Sequence, residues 1–259
     1  MQKDRYGIIN IDDAAAAYFK SVCPVPVWTY GMERPATLQA VDYQVAQGGS
    51  KFRLRYQEAE YPVEIPLSGK FNVYNTLAAM AALLAENVPL DHVLEHIHSA
   101  TQVAGRFERV EEGQPFTVIV DYAHTPDGLE NLLTTARGIT KNKLITVFGC
   151  GGDRDRTKRP IMGRIAGKYS DFSVITSDNP RTEEPEAIIA EVEKGIREVS
   201  TNYMVEPSRR EAIAEALALA KAGDVVVIAG KGHENYQLVK GQVLSFDDRQ
   251  VVREILTGK

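Results

Sequence analysis

The chain has few cysteines and no long hydrophobic run. Its 259 residues include only Cys23 and Cys150, which are too few for a disulfide framework. Free thiols are typical of the reducing cytosol, so a cytoplasmic location is predicted. No stretch of about 18 apolar residues occurs, and we therefore expect neither a membrane-spanning helix nor a membrane partner.

The sequence also lacks an excess of positive charge. Thirty Lys and Arg residues stand against 35 Asp and Glu residues, which gives a formal net charge of -5. Nucleic-acid binding depends on a basic surface, so this balance does not favour it. The phosphate-binding loop G-x-x-x-x-G-K-[ST] is a third absence, because no segment of the chain matches it.

Two sequence patterns divide the chain near residue 107. Residues 1–107 open on an apolar strand at Tyr6–Asn10, and a helix is predicted from Asp12 through Tyr18. Polar–apolar alternation between Leu38 and Ile65 then predicts antiparallel strands with one solvated face. Helices are predicted at Phe71–Leu84 and Leu90–Ser99, from residues of high helix propensity.

Residues 108–259 alternate apolar strands with helices, and this pattern predicts a parallel, doubly wound α/β sheet. The predicted strands are Phe116–Val120, Lys143–Phe148, Phe172–Thr176, Tyr203–Glu206 and Asp224–Ala229. The predicted helices are Gly128–Arg137, Pro160–Lys168, Glu186–Val199 and Ser208–Ala222. Ser208 and Glu211 form a capping box, which marks the start of the last of these helices.

Polar and glycine-rich segments follow four of these strands. They are Asp121–Asp127, Gly149–Arg156, Asp178–Arg181 and Gly230–Glu234. The carboxyl ends of parallel strands share one edge of the sheet, and ligands bind at that edge, so we expect the four segments to converge on one site. The alternative is that loops carry polar, Gly and Pro residues for reasons of turn geometry alone.

The segment Asp178–Arg181 combines groups that suit an amino acid as ligand. Pro180 fixes its own φ and favours an extended Asn179, whose amide both donates and accepts hydrogen bonds. Arg181 can hold a carboxylate, while Asp178 and Glu234 can accept from an ammonium group. The alternative is a rigid turn in which Arg181 pairs with a neighbouring glutamate.

A second cluster could bind an anion. The backbone N–H groups of Gly149–Gly152 can point at one anion, as in a nest. Four basic residues follow and would add fixed positive charge: Arg154, Arg156, Lys158 and Arg159. The alternative is a solvated basic helix start.

Two histidine patterns differ in how strongly they indicate a functional site. The string His92–His96 fits H-x-x-E-H, but no third ligand is evident and its histidines alternate with leucines expected in the core, so a zinc site is set aside. His124 is the stronger candidate, because it lies just past a predicted strand that ends near Asp121.

Six motifs in order and spacing identify the chain as similar to the Mur ligase family. They are GKFNVYNTLAA (69–79), GRFE (105–108), DYAHTPD (121–127), GCGGDRDRTKRP (149–160), DNPRTEEP (178–185) and GKGHENYQ (230–237). The resemblance in order and spacing holds over the whole chain. The DNPR form resembles the family members that add meso-diaminopimelate, whereas lysine-adding members usually lack this Arg.

The resemblance implies a fold and a reaction. The fold is a Rossmann-like C-terminal domain at residues 108–259, preceded at residues 1–107 by the distal part of an α/β central domain with a small antiparallel sheet. The reaction is amide formation that uses ATP and Mg²⁺. ATP phosphorylates the D-glutamyl carboxylate of UDP-MurNAc-L-Ala-D-Glu, the amine of meso-diaminopimelate attacks the acyl phosphate, and phosphate leaves.

The resemblance also implies roles for individual residues. The residues implied to hold diaminopimelate are Arg154, Asp178, Asn179, Pro180, Arg181, Gly230 and Glu234. The residues implied to contact the nucleotide are Asn72, Asn75, Arg106 and Asp121. His124 is implied to lie near the transferring phosphate, and no residue is implied to bind the metal.

The chain departs from the family pattern at its start. The UDP-sugar domain and the phosphate-binding half of the ATPase domain have no counterpart, so we expect a truncated ligase that is inactive alone. Two alternatives are a lysine-adding or divergent ligase and a non-catalytic remnant that binds an amino acid. The oligomeric state is left open.

Overall fold

The computed structural model describes residues 5–46 and 48–259, and this part of the chain divides into two compact units. The units are Met1–Thr101 and Gln102–Lys259. The domain boundary predicted from sequence, between residues 107 and 108, stays a prediction. None of the helices in the described residues combines the length and apolarity that a bilayer crossing requires.

The first unit is one mixed sheet with helices. Its elements are β1 (Gly7–Asn10), α1 (Ala16–Val22), β2 (Val27–Gly31), β3 (Leu38–Ala46), β4 (Gly49–Tyr56), β5 (Ala59–Ile65), α2 (Lys70–Ala85) and α3 (Leu90–Ile97). The sheet runs in the order β1-β2-β3-β4-β5. The pairs β1–β2 and β2–β3 are parallel, and the pairs β3–β4 and β4–β5 are antiparallel, which confirms the predicted antiparallel strands.

Alternation along β4 explains the packing of this sheet. Phe52 and Leu54 are buried, while Lys51 and Arg53, which alternate with them, are exposed. The buried side chains meet an apolar face of α2 that includes Leu77, and together they form the core of the unit. Period-two alternation therefore sets both the register and the covered face.

Two predictions at the start of the chain are wrong. The strand expected to be buried, β1, is the edge of the described sheet, and Ile8 is exposed. The helix starts at Ala16 rather than at Asp12. The carboxylate of Asp12 instead accepts hydrogen bonds from the backbone N–H groups of Met32 and Arg34, so it holds a loop in place.

The second unit is a doubly wound α/β fold. Its elements are β6 (Glu108–Val110), β7 (Thr117–Asp121), α4 (Pro126–Ile139), β8 (Leu144–Phe148), α5 (Lys158–Tyr169), β9 (Phe172–Ile175), α6 (Pro185–Ile196), β10 (Tyr203–Val205), α7 (Arg209–Leu219), β11 (Val225–Ala229), β12 (Tyr236–Val239), β13 (Gln242–Ser245) and α8 (Asp248–Thr257). The large sheet has the order β10-β9-β8-β11-β7-β6. Only β6 is antiparallel to its neighbour in this sheet.

The two faces of this sheet carry different helices. Val118, Val147 and Val226 share one buried face with side chains of α7 and α8. Strand residues alternate between faces, so the opposite face is the one against which α4, α5 and α6 pack. The predicted parallel strands and their helices are confirmed, whereas β2, β6, β12, β13 and α8 were not predicted.

An ion pair between the N-terminal ends of α7 and α8 is completely buried. Arg209 donates from Nε and Nη2 to the two carboxylate oxygens of Asp248, each at 2.7 Å, and Nη2 also donates to the carbonyl of Ala229 at 3.1 Å. Both side chains have no exposed surface. The pair joins both helices to the end of β11.

We expect Asp248→Ala to lower the free energy of opening of the second unit by about 3–5 kcal/mol, because it leaves the Arg209 charge buried without a counterion. Native-state hydrogen exchange of the β11 amides measures this energy for the second unit alone. The matched control is Glu198→Ala, which removes the exposed ion pair with Arg164. Equal β11 exchange in the two variants would contradict the argument.

Candidate functional site

A cavity of about 520 Å³ lies in the second unit, at the carboxyl ends of the parallel strands. This volume falls in the range of small-molecule sites. The loops that follow β7, β8, β9 and β11 all contribute to its wall. Seven of the residues predicted from the sequence line it: His124, Arg154, Asp178, Asn179, Arg181, Gly230 and Glu234.

The β8 and β9 loops touch each other backbone to backbone. The N–H of Gly152 donates to the carbonyl of Asn179 at 2.9 Å, and a Cβ on Gly152 would lie 1.9 Å from the carbonyl oxygen of Pro180. Glycine is therefore required at this position. Pro180 does not line the cavity, and its carbonyl is part of this contact.

The predicted anion nest is at most partial. The N–H of Gly152 already donates to a carbonyl of the protein and is not free to bind an anion.

One wall of the cavity is acidic. Asp178 and Glu234 line it, and the buried Lys231 lies behind them. Nζ of Lys231 donates to Glu234 at 3.1 Å and lies 3.7 Å from Oδ1 of Asp178. Burial raises the pKa of Asp178, and the positive charges of Arg209 and Lys231 act against that rise.

The lining of the cavity also includes three cations. Arg181 donates from Nη1 to the carbonyl of Gly152 at 2.8 Å, and Lys158 donates to the carbonyl of His124 at 2.7 Å. Arg154 is exposed and donates only to a neighbouring carbonyl. None of these three cations is ion-paired with a carboxylate in the described residues. Their charge is available to an anionic group in the cavity.

The turn with Arg181 paired to a glutamate, which the sequence left open, is not the observed arrangement. Glu183 forms an ion pair with Arg159 at 2.7 Å, and Glu184 pairs with Lys240 at 3.0 Å. The expectation that all four basic residues after β8 would present free charge is also wrong. Arg159 is buried against Glu183 and Glu191, and Arg156 pairs with Glu191 as well.

Glu183 connects the β8 and β9 loops through charge. It accepts from Arg159 at 2.7 and 2.9 Å and from the backbone N–H of Asp153 at 2.7 Å. The Arg159 hydrogen bonds, followed by the Asp153 N–H, lower the pKa of Glu183 from its ordinary 4.5 to about 2. The carboxylate therefore favours the folded loops wherever it is ionised.

His124 is held in one orientation by its own turn. Its Nδ1 lies 2.9 Å from the carbonyl oxygen of Tyr122, which can only accept, so Nδ1 carries the proton and Nε2 is free. The ring also packs edge-on against Tyr122, with centroids 4.7 Å apart. Thr125 then caps α4 by accepting from the N–H of Gly128 at 3.2 Å.

The predicted nucleotide-contact residues do not line the cavity. The Asp121 carboxylate accepts from the N–H groups of Phe107 at 2.7 Å and Ala123 at 2.8 Å, and burial raises its pKa. Arg106 is exposed and lies over the Tyr122 ring, 4.8 Å from its centroid. The role of these residues stays a prediction.

The other two predicted nucleotide contacts belong to the first unit. Asn72 donates from Nδ2 to the carbonyl of Ser68 at 2.8 Å, and Asn75 is exposed on α2. The first unit also contains His92, Glu95 and His96, all exposed, with ligand atoms within 4.8 Å of one another. The histidines alternate, as expected, with residues of the core, because Val93 is buried there and Leu94 packs against it.

Cys150 lies in the β8 loop but cannot serve as a nucleophile there. Its side chain is buried, and this burial raises the pKa of the thiol to about 12. Nucleophilic attack by cysteine requires the thiolate. The loop therefore contributes backbone and cations to the site and no reactive sulfur.

Comparison with known proteins gives matches over both units. Residues 105–232 match the family described as Mur ligase, glutamate ligase domain, and residues 1–83 match the Mur ligase middle domain. The chain is 52% identical over its full length to the UDP-N-acetylmuramoyl-L-alanyl-D-glutamate--2,6-diaminopimelate ligase of Syntrophomonas wolfei, of which it covers 53%.

Solved structures of ligases are also similar to this chain. A structure of a UDP-N-acetylmuramoyl-L-alanyl-D-glutamate--2,6-diaminopimelate ligase is 38% identical, with a TM-score of 0.68, and the match covers 98% of this chain and 53% of that one. The MurF ligase of Thermotoga maritima, solved with ADP, shares the fold at 16% identity and a TM-score of 0.68, over 99% of this chain and 53% of that one. The chain spans about half the length of the curated relatives it matches.

We expect Gly152→Ala to lower the free energy of unfolding by about 1–3 kcal/mol, because the added methyl group forces the β8 and β9 loops apart. The matched control is Gly138→Ala in α4, where a Cβ meets nothing within 4 Å. That change should be neutral or stabilising by up to about 1 kcal/mol. Chemical denaturation followed by circular dichroism distinguishes the two, and similar midpoints would refute the steric argument.

We expect Glu183→Gln to destabilise the protein at pH 7 and to lose this effect in acid. The pKa of Glu183 is lowered on folding, so its stabilisation is present above pH 4.5 and disappears as the pH falls from 4.5 toward 2. Melting temperatures of both proteins between pH 7 and pH 3 measure the difference. A difference that stays constant over this range would show that the ion pair does not contribute as argued.

Proposed function

The chain belongs to the Mur ligase family, and from this we propose that its second unit holds the amino acid in ATP-dependent amide formation. The amino acid is meso-diaminopimelate. The acceptor is UDP-MurNAc-L-Ala-D-Glu. The name of the Syntrophomonas wolfei relative states this pair of compounds for that protein.

The observation that carries the proposal is the presence of both signs of charge in the lining of one cavity. Arg154 and Arg181 offer guanidinium groups that no carboxylate of the described residues pairs with, and Asp178 and Glu234 offer carboxylates. A zwitterionic amino-acid end matches this lining, with its carboxylate toward the arginines and its ammonium toward the acids. Neither a simple anion nor a simple cation would use both kinds of charge.

Diaminopimelate has two such ends, and the two have different tasks in the proposed reaction. One end is held as a zwitterion in the cavity by the basic and acidic side chains of its lining. The amine of the other end attacks the acyl phosphate made from the D-glutamyl carboxylate, and phosphate leaves as the amide bond forms. Positioning of the two reactants is then the main contribution of this unit to the rate.

His124 is the candidate for contact with the reacting groups. Its free Nε2 belongs to a ring that lines the same cavity as Lys158. We propose that these groups lie near the transferring phosphate, where cations and hydrogen bonds stabilise the developing charge.

ATP fits this chain in part. The exposed Arg106 guanidinium stacked on Tyr122 suits a phosphate group. In the first unit, contact of Asn72 and Asn75 with the nucleotide stays a prediction. In the described residues, the one group of three metal-ligating side chains is His92, Glu95 and His96, whose nitrogen donors do not suit magnesium. We therefore assign no residue to Mg²⁺, and ATP supplies the phosphoryl group when bound.

L-Lysine is the second candidate ligand. It has the same chain of carbons between its amines but lacks the second carboxylate of diaminopimelate. The unpaired guanidinium of Arg181 is a specific observation against it, because a ligand without that carboxylate leaves Arg181 with one acceptor fewer.

Isothermal titration calorimetry of the 259-residue chain tests the proposal. We expect meso-diaminopimelate to bind more tightly than L-lysine, and Arg181→Ala to weaken diaminopimelate binding roughly tenfold to hundredfold by removing a charge-assisted hydrogen bond.

The matched control is Arg164→Ala, which removes an arginine of α5 that does not line the cavity. It should bind diaminopimelate as the wild type does. Equal affinity of the wild type for the two amino acids would favour the lysine-adding alternative. Absence of binding to both would refute the amino-acid site.

A further inference from the structure

A lysine lies buried behind the acidic wall of the cavity. The Lys231 side chain has no exposed surface and does not line the cavity, yet its Nζ reaches three residues that do. It lies 3.2 Å from Oδ1 of Asn179, 3.1 Å from Oε2 of Glu234 and 3.7 Å from Oδ1 of Asp178. Burial of an ammonium group is costly unless it is paired, so this position calls for an explanation.

We propose that Lys231 is a positioning residue, which orients Asn179 and Glu234 and balances one of two carboxylate charges so that the cavity accepts a single ligand ammonium. This inference rests on the proposed function of the cavity and assigns a role to a residue that does not touch the ligand.

The hydrogen bonds around Asn179 support the orienting role. Its Oδ1 accepts from Lys231 at 3.2 Å and from the N–H of Leu238 at 2.9 Å. Two donors on one side fix that atom as the oxygen, so Nδ2 lies on the other side and donates to Glu234 at 2.9 Å. Lys231 and Asn179 thus both donate to Oε2 of Glu234, and the Tyr236 hydroxyl also hydrogen-bonds to this carboxylate.

The charges around this position support the balancing role. Asp178 and Glu234 contribute two negative charges and Lys231 one positive charge. Arg209 and Asp248 lie behind Asp178 and form a neutral pair with each other. The remaining neighbour is the Tyr236 ring, whose centroid is 5.5 Å from Nζ. The wall therefore carries one net negative charge, which one ligand ammonium neutralises.

The experiment is Lys231→Met in the full chain, titrated with meso-diaminopimelate at pH 7 in two buffers of different ionisation enthalpy. Without Lys231 the two carboxylates face each other unbalanced, so the free variant should hold a proton that the ligand ammonium displaces. We expect an affinity lower by roughly tenfold to hundredfold and release of up to one proton on binding. The wild type should release none.

The matched control is Lys221→Met, which changes an exposed lysine outside the cavity. It should bind as the wild type does. Lys231→Gln separates the two parts of the role, because its amide can still donate but carries no charge. It should regain part of the affinity and still release a proton.

The outcomes separate this inference from the proposed function. If the wild type does not bind diaminopimelate, the proposed function fails. If the wild type binds and Lys231→Met binds equally well without releasing a proton, the positioning role is overturned while the proposed function stands. A variant that is merely less stable, with unchanged affinity and no proton release, also overturns it.

A measurement on the wild type covers the case in which the variants do not fold. Lys231 is the one buried lysine among the described residues, so its ammonium protons should exchange slowly and be visible in ¹⁵N-lysine NMR spectra. Saturating diaminopimelate should shift this resonance, because the ligand changes the charge beside it. A slowly exchanging resonance that ligand leaves unmoved would overturn the inference.

Discussion

The close approach of two backbones is the constraint on which the cavity depends. Gly152 lies against the carbonyl of Pro180, and this contact sets the distance between the β8 and β9 loops. The same approach lets Arg181 reach the carbonyl of Gly152 and lets Glu183 bind Arg159. The charged lining of the cavity depends on this approach, because separation of the two loops would break all three interactions.

Much of the fold could be predicted because its signals are local. Apolar strands that alternate with helices predict the doubly wound sheet, and the rule that ligands bind at the carboxyl ends of strands predicts that Arg154, Arg181 and Glu234 lie at one edge. Apart from α8, the elements that were not predicted are short or exposed. The hairpin β12–β13, for example, has no buried residue and therefore no hydrophobic pattern.

Pairing between distant charges could not be predicted, because sequence spacing does not show which side chains meet. Arg159 and Arg209 are both completely buried, but each reads in the sequence as an ordinary basic residue at a helix start. Lys231 is a similar case, since a lysine between two glycines is expected in solvent. Their partners include Glu183, Asp248 and Asn179, which lie 24, 39 and 52 positions away in the chain.

The backbone of Arg181 is held independently of its side chain. Its φ is +55°. Its N–H donates to the carbonyl of Leu238 at 2.9 Å, and its carbonyl accepts from the backbone N–H of Lys240 at 2.7 Å. The hairpin thus clamps the main chain whichever side chain position 181 carries. Evolution can consequently exchange the group at this one position, and with it a charge of the cavity lining, with the backbone of the surrounding scaffold left in place.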